Sequence, residues 1–207
     1  MAAEEKRYFL ENVTFFYDTR EKENWEVLRA FNHCGVKFEP ATMATGDYSF
    51  YICGRDYRHE WVAERKGSLG EIYQNIMEHD SNGKRNRLER EFERMGSAKE
   101  RLLFLQGVNN INEVRAWKNP KATFQGDRAG EHIYATLMSW ECANRYNFKI
   151  ICQRVQFEIG MEMVIRAYYY WRNDMKSLFG DNFLKSLKND KKVCEKVLTT
   201  PADSSIL

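Results

Sequence analysis

Hydrophobic residues fall in short blocks separated by polar segments, and this pattern predicts strands that alternate with helices. Compact apolar runs rich in aromatic and β-branched residues predict strands near 14–18, 48–53, 60–66, 102–107 and 149–152. Longer segments with apolar residues every three or four positions predict helices near 68–80, 84–96, 129–146 and 157–179. The order of these elements favours an α/β sheet flanked by helices.

Charged residues gather at the ends of the first three predicted strands. Asp18 ends the first strand, Asp47 precedes the second, and Glu64 and Lys66 lie two residues apart in the third. A hairpin would bring Asp47 near Glu64, and the two-residue period of a strand places Glu64 and Lys66 on one face. Two carboxylates beside a lysine suit a hard divalent cation next to a phosphate. An exposed hairpin with solvated charges is the structural alternative.

Four motifs in this order resemble the nuclease domain of the XPF/Hef family of structure-specific endonucleases. They are Asp18-Thr19-Arg20-Glu21, Gly46-Asp47-Tyr48, Glu64-Arg65-Lys66 and Leu102-Leu103-Phe104-Leu105-Gln106-Gly107. The resemblance extends from about residue 15 to residue 174, which is most of the chain. One position departs from the family pattern. The pattern expects an acidic residue four positions after Lys66, and this chain has Gly70 there. Glu71 is adjacent and is a candidate replacement.

The resemblance implies a restriction-endonuclease-like α/β core with a mixed central sheet and helices on both sides. It also implies a metal-dependent DNA endonuclease that acts on branched, flapped or otherwise structured DNA. Mg²⁺ is the expected cofactor, and Mn²⁺ is expected to substitute for it. An alternative is a catalytically inactive nuclease-fold subunit that binds DNA or a protein partner. Retention of Asp47, Glu64 and Lys66 favours the active enzyme over that alternative.

The same resemblance assigns roles to individual residues. Asp47 and Glu64 are the expected direct metal ligands, Asp18 joins them or binds through water, and Lys66 completes the catalytic group. The expected substrate contacts are basic residues. Arg20 and Arg65 lie within the motifs, and the clustering of basic residues close in sequence to the site adds Lys84, Arg85 and Arg87. Arg65 points to the face opposite Lys66, so a structural ion pair with an acid such as Asp18 is also expected.

The basic residues of the segment 84–94 permit a second interpretation. Acidic residues alternate with them, so a solvated helix with ion pairs three or four residues apart is the structural alternative to a DNA-contacting face. The net charge of +2, from 32 basic and 30 acidic residues, neither demands nor excludes nucleic acid.

Composition bounds the remaining predictions. The first residues lack the apolar segment of a signal peptide, and no window is apolar enough to span a membrane. Five cysteines without a Cys-x-x-Cys pair predict a reducing, intracellular setting, either cytoplasmic or in the nucleoid or nucleus.

We expect one domain over 1–185 and a flexible tail over 186–207. The cluster Tyr168-Tyr169-Tyr170-Trp171 suits either base stacking or a core with a subunit interface. The resemblance favours an interface, in a homodimer or heterodimer that pairs through the C-terminal helices.

Overall fold

The structure, a computed structural model, describes residues 2–80, 83–122 and 127–189, and its elements alternate along the chain. In chain order they are α1 (Ala2–Asn12), β1 (Val13–Asp18), α2 (Trp25–His33), β2 (Lys37–Ala41), β3 (Tyr48–Ile52), β4 (Arg55–Asp56), β5 (Trp61–Lys66), α3 (Leu69–Met77), α4 (Arg87–Arg94), β6 (Glu100–Gln106), α5 (Ile111–Ala116), α6 (Ala129–Cys142), β7 (Phe148–Gln153), α7 (Gln156–Phe179) and α8 (Phe183–Asn189).

The strands form one mixed sheet in the order β2-β1-β3-β5-β6-β7, and the short strand β4 pairs with β3. β3 runs antiparallel to both β1 and β5, whereas the pairs β1–β2, β5–β6 and β6–β7 are parallel. The predicted α/β fold with a mixed central sheet is therefore confirmed. The carboxyl ends of β1 and β5 and the start of β3 meet at one edge of this sheet, where the charged motifs lie.

Each face of the sheet is covered by its own hydrophobic core. Phe15, Trp61 and Phe104 belong to a core that is shared with α1, α2, α7 and α8. Val62 and Leu103, on the other face, pack with α3, α4, α5 and α6. Because β5 is buried along its whole length, its alternate residues point into different cores. Glu64 and Lys66 therefore share the face of Val62, which is the side occupied by α3 and α4.

A close approach of α2 and α7 fixes the segment that follows β1. Gly160 lies in α7, and a Cβ atom there would come 2.6 Å from the Cβ of Ala30 and 2.8 Å from the carbonyl oxygen of Val27. Real Cβ atoms do not tolerate such distances, so glycine allows the two helices to touch. Because α7 starts directly after β7 and α2 starts shortly after β1, their first residues lie together beside the charged edge.

Three elements near the amino terminus have no counterpart among the predicted ones, namely α1, α2 and β2. β2 is a partly exposed edge strand that contains Pro40, so it lacks the apolar run that predicts a strand. At the other end, α8 continues past the predicted boundary at 185, and the remainder of the predicted tail, 190–207, lies outside the described residues. In the described part of the chain, no helix is long and apolar enough to cross a membrane.

Candidate active site

Backbone hydrogen bonds hold Asp47 between β1 and β5. Its N–H donates to the carbonyl of Ala63 at 2.8 Å, and its own carbonyl accepts the N–H of Asp18 at 2.8 Å. The side-chain oxygen Oδ2 accepts the N–H of Arg65, also at 2.8 Å. Asp47 is thus tied to both neighbouring strands through main-chain atoms, and its position does not depend on other flexible side chains.

The turn before Asp47 requires glycine. Gly46 has a φ of +68°, a left-handed conformation that residues with a Cβ adopt at a cost. A Cβ at Gly46 would also overlap Cγ1 of Val62 and lie 3.1 Å from the carbonyl oxygen of Ala63. The first residue of the Gly-Asp-Tyr motif therefore has a physical role, because it lets the chain lie close against β5.

Lys66 is buried between two carboxylates. Its Nζ lies 2.8 Å from Oε1 of Glu64 and 2.7 Å from Oε2 of Glu91, and only 3 % of the side chain is exposed. Glu71 lies at the edge of this group, with Oε1 3.7 Å from Nζ. The prediction that Glu64 and Lys66 share a face is confirmed by their direct contact. The lysine ammonium is fixed in place by acids on both sides.

Glu91 comes from α4 and was not among the predicted site residues. A capping box begins this helix, with Asn86 Oδ1 accepting the N–H of Glu89 at 2.8 Å and Glu89 Oε2 accepting the N–H of Asn86 at 2.9 Å. Glu91 follows in the second turn, and Arg87 Nε donates to its other oxygen at 3.2 Å. The sequence alone does not single out Glu91, because Glu93 is equally adjacent to Phe92 and Glu89 is also buried in this helix.

Asp18 is buried and pairs with Arg20. The guanidinium donates from Nε to Oδ1 at 2.8 Å and from Nη2 to Oδ2 at 2.7 Å, and the N–H of Met43 donates to Oδ2 at 3.0 Å. The Arg20 hydrogen bonds outweigh the effect of burial and lower the pKa of Asp18 below its ordinary value. Asp18 is therefore ionised and already engaged, while the arginine side chain itself is 72 % exposed.

The surroundings of Asp47 and Glu64 destabilise the ionised forms of both carboxylates. Burial, together with repulsion from Glu64 and then Glu21, raises the pKa of Asp47 well above its ordinary value. Burial also raises the pKa of Glu64, against the opposing effect of Lys66. Burial alone would lower the pKa of Lys66, but Glu64 and Glu91 outweigh it and raise that pKa. Lys66 thus contacts Glu64 and Glu91 and acts on Asp47 through its charge, and a further positive charge would stabilise the group.

A cleft of about 500 Å³ lies at the sheet edge, and its lining includes Asp18, Asp47, Glu64, Lys66 and Glu91. Comparison with protein families matches residues 17–157, more than half of the chain, to the ERCC4 domain. The chain belongs to the ERCC4 domain family. Members of this family are endonucleases.

The fold of this ERCC4 domain is similar to that of solved XPF structures. XPF from Aeropyrum pernix aligns with a TM-score of 0.54 and 15 % sequence identity, over 89 % of this chain and 79 % of that one. A complex of Aeropyrum pernix XPF with DNA aligns with a TM-score of 0.50 and 15 % identity, over 89 % of this chain and 80 % of that one. Comparison with curated protein sequences gave no match.

The basic residues predicted to contact substrate separate into two groups in the ERCC4 domain. Arg20, Arg65 and Arg87 line the cleft. Arg85 does not line it and instead pairs with Glu93, Nη1 to Oε2, at 2.7 Å. Lys84 is exposed and also lies away from the cleft lining. The ion pair four residues apart that charge alternation predicts is made by Arg87, whose Nε lies 3.2 Å from Oε1 of Glu91, and Arg87 still lines the cleft.

Arg65 is buried on the face opposite Lys66. Its guanidinium pairs with Glu21, donates to Oε1 of Gln106 at 2.8 Å and donates to the carbonyl of Glu23 at 3.1 Å. The expected structural ion pair therefore exists, but its acid is Glu21 and not Asp18, because Arg20 already occupies Asp18. These bonds connect β5 and β6 to the segment between β1 and α2.

Glu71, the candidate replacement for the acid that the family pattern expects at position 70, reaches the cleft from the start of α3. Ser68 caps α3 by accepting the N–H of Glu71 at 3.2 Å, and Glu71 Oε2 accepts the N–H of Gly67 at 2.9 Å. Glu71 consequently turns back over the helix start and lines the cleft near Lys66. An acid is thus present at the start of α3 even though Gly70 carries no side chain.

The donor set suits a divalent cation only in part. Among the described residues, no three or more histidine, cysteine, aspartate or glutamate side chains form a ready metal cluster. Asp47 is half-buried and Glu64 is buried. Both carboxylates nevertheless fit such an ion by chemistry, since their pKa values are raised and a nearby cation would lower them. Each oxygen of Asp18 accepts two hydrogen bonds, so its contact with an ion would have to run through water or displace Arg20.

Proposed function

We propose that this ERCC4 domain is a metal-dependent DNA endonuclease that hydrolyses phosphodiester bonds at branched, flapped or otherwise structured DNA. The observation that carries the proposal is the carboxylate pair of half-buried Asp47 and buried Glu64, with Lys66 in the same open cleft. A structural ion pair has no need of an excess of buried acids, whereas a cation site does. A divalent ion bound there, Mg²⁺ or Mn²⁺, would supply a nucleophilic water near neutral pH and offset charge on the phosphate.

Lys66 is proposed to stabilise the negative charge that develops on the scissile phosphate or to orient the attacking water. Glu64 and Glu91 keep its ammonium charged and fixed, so that it needs no reorganisation during the reaction. Removing one such preorganised donor lowers the rate of an enzyme by roughly 10²–10³-fold. We therefore expect Lys66→Ala to lose cleavage while it retains most DNA binding.

Arginine residues at the cleft opening are proposed to position the DNA backbone. Arg20 combines an exposed side chain with a fixed anchor on Asp18, and Arg87 is anchored on Glu91 in the same way. A guanidinium held at one edge keeps donors free for a phosphate, which is the usual backbone contact of such proteins. Arg65 is proposed to act indirectly, because its donors hold Glu21 and Gln106.

A panel of DNA substrates tests the proposal. Branched, flapped, nicked and linear duplexes are incubated with the chain in Mg²⁺ or in EDTA, with Asp47→Ala as the matched control. Cleavage of the structured substrates in Mg²⁺ alone, lost in Asp47→Ala, is the expected result. Binding without cleavage by the unmutated chain would favour the inactive, partner-binding alternative. Cleavage by Asp47→Ala at the unmutated rate would refute the assignment of the site.

A second subunit is proposed to dock on the exposed face of α7. Tyr169 and Ile165 lie one helical turn apart on this helix, and both are exposed, Tyr169 by 55 %. Tyr168 and Trp171, in contrast, are buried in the core. Sedimentation of the unmutated chain and of Tyr169→Glu tests the contact. A dimer that dissociates in the variant supports it, and a monomer in both would refute a homodimer that pairs through this face.

A further inference from the structure

A second groove adjoins the cleft that holds the acids. Its volume is about 880 Å³, within the range of sites that enclose a nucleotide-sized ligand. Arg65 and Glu71 line both the groove and the cleft, so the two are continuous along the sheet edge. From this boundary the groove extends to the first residues of α2 and α7.

An exposed aromatic stack forms the far wall of this groove. Trp25, the first residue of α2, is 65 % exposed, which is unusual for the largest apolar side chain. Arg29 lies over its ring with Cζ 5.5 Å from the centroid, and the same guanidinium lies 5.0 Å from the ring centroid of Phe157. Trp25 is thus supported on one side without being buried, and it contributes to neither hydrophobic core.

The groove is held rigidly by the contacts between α2 and α7. Gln156 Oε1 accepts the N–H of Glu26 at 3.0 Å, and the Gln156 amide also donates to the carbonyl of Glu23. The close approach at Gly160 fixes the same two helices one turn further on. A rigid aromatic surface binds a flat ligand with little loss of conformational freedom.

Charge in the groove is mostly compensated. Glu26 neutralises Arg29 at 2.6 Å, from Oε2 to Nη2, and Glu113 neutralises Arg154 at 3.0 Å. Lys22 is exposed and also lines the groove, so it can contact a phosphate there. The exposed face of the Trp25 ring offers a further source of affinity to a ligand with a flat ring of its own.

We propose that the groove holds an unpaired nucleotide of a DNA arm, with its base stacked on Trp25, beside the strand that enters the acid cleft. The proposal rests on the proposed function and adds a source of substrate preference to it. Bases inside a duplex present only their edges, because each face is covered by its neighbour. An unpaired base offers a free face, so Trp25 distinguishes DNA with a single-stranded arm from blunt duplex.

Binding measurements with an inactive chain test this assignment. In the Asp47→Ala background, fluorescence anisotropy compares a blunt duplex with the same duplex carrying a short thymidine arm. Stacking of one base on an aromatic residue corresponds to roughly a 5- to 150-fold change in affinity when the residue is replaced by alanine. We expect Trp25→Ala to lose that factor on the armed duplex only, and Trp25→Phe to recover most of it.

Two controls sharpen the test. Tyr51→Ala removes another exposed aromatic residue, which pairs with Thr14 at the opposite end of the sheet, and it should bind both DNAs normally. A 2-aminopurine base in the arm should be quenched on binding by the Asp47→Ala chain but not by the Trp25→Ala double variant. The preference for the arm should also change little between low and moderate salt, because stacking releases no counterions.

The possible outcomes are distinct. Equal affinity of the Trp25→Ala and Tyr51→Ala variants for the armed duplex would overturn the groove assignment, as would an equal loss on both DNAs. If the unmutated chain still cleaves DNA in either case, the proposed function stands without it. If the unmutated chain neither binds nor cleaves any DNA, both proposals fail together.

Discussion

Replacement of Gly46 by alanine tests whether close packing at the Gly-Asp-Tyr turn controls the site. The left-handed φ of +68° costs a residue with a Cβ roughly 1–2 kcal/mol. The overlap of the new methyl group with Val62 adds roughly 1–3 kcal/mol, as for other overpacked positions. We therefore expect Gly46→Ala to lower the free energy of unfolding by roughly 2–5 kcal/mol, a large part of the stability of an ordinary domain.

Gly35 provides a matched control. Its φ is +70°, but a Cβ there would have no atom within 4 Å, so Gly35→Ala carries the conformational cost without the overlap. Both variants gain equally from the stiffer unfolded chain, so the difference between them isolates the overlap at roughly 1–3 kcal/mol. Urea unfolding followed by circular dichroism gives both values. Equal destabilisation by the two variants would refute the packing argument.

The same substitution should affect activity beyond its effect on stability. Relief of the overlap moves the turn away from β5 and carries Asp47 with it. A displacement of about 1 Å in a catalytic group lowers rates by roughly 10²-fold. Single-turnover cleavage at a temperature where both variants are folded should therefore fall in Gly46→Ala and remain unchanged in Gly35→Ala. Equal rates in the two variants would show that the position of Asp47 does not depend on this contact.

Three further predictions concern residues around the cleft and in the cores. Glu91→Gln should slow cleavage at least tenfold in single-turnover measurements, because Lys66 loses one of its two charged anchors and Arg87 loses the ion pair that holds it at the cleft. Asp18→Asn should be less stable than the unmutated chain at pH 7, and urea titrations should show this difference shrinking toward pH 3. The sign follows from the lowered pKa of Asp18, since its contribution is present above the unfolded pKa and is lost as pH falls through the folded one. Iodoacetamide at pH 8 should modify exposed Cys142 before Cys152 in mass spectra, because burial raises the pKa of the Cys152 thiol to about 11.

The central strands could be predicted because local pattern and burial agree there. The run that forms β6 is apolar because it is buried on both faces, and such runs are visible in a sequence without knowledge of the partners. β2 could not be predicted in the same way, because an edge strand gains its hydrogen bonds from β1 and needs little apolar surface. The helix α2 is short, and its packing depends on Gly160, which lies more than a hundred residues away.

The site residues could likewise be predicted where local geometry places them, and could not be predicted where distant packing does. Period-two geometry places Glu64 and Lys66 together, and the structure confirms this because the two residues share one strand. Glu91 could not be chosen from among the acids of its helix, because only the packing of α4 on the sheet selects the one that reaches Lys66. The partner of Arg65 likewise depends on which acid Arg20 already holds.

A manganese soak of crystals of the chain tests the central claim most directly. Anomalous scattering locates Mn²⁺ independently of any assay, and Mn²⁺ replaces Mg²⁺ at oxygen sites of this kind. We predict one strong peak between Asp47 and Glu64, absent from crystals of Asp47→Asn. A peak elsewhere, with these two carboxylates more than about 6 Å apart, would contradict the proposed metal site.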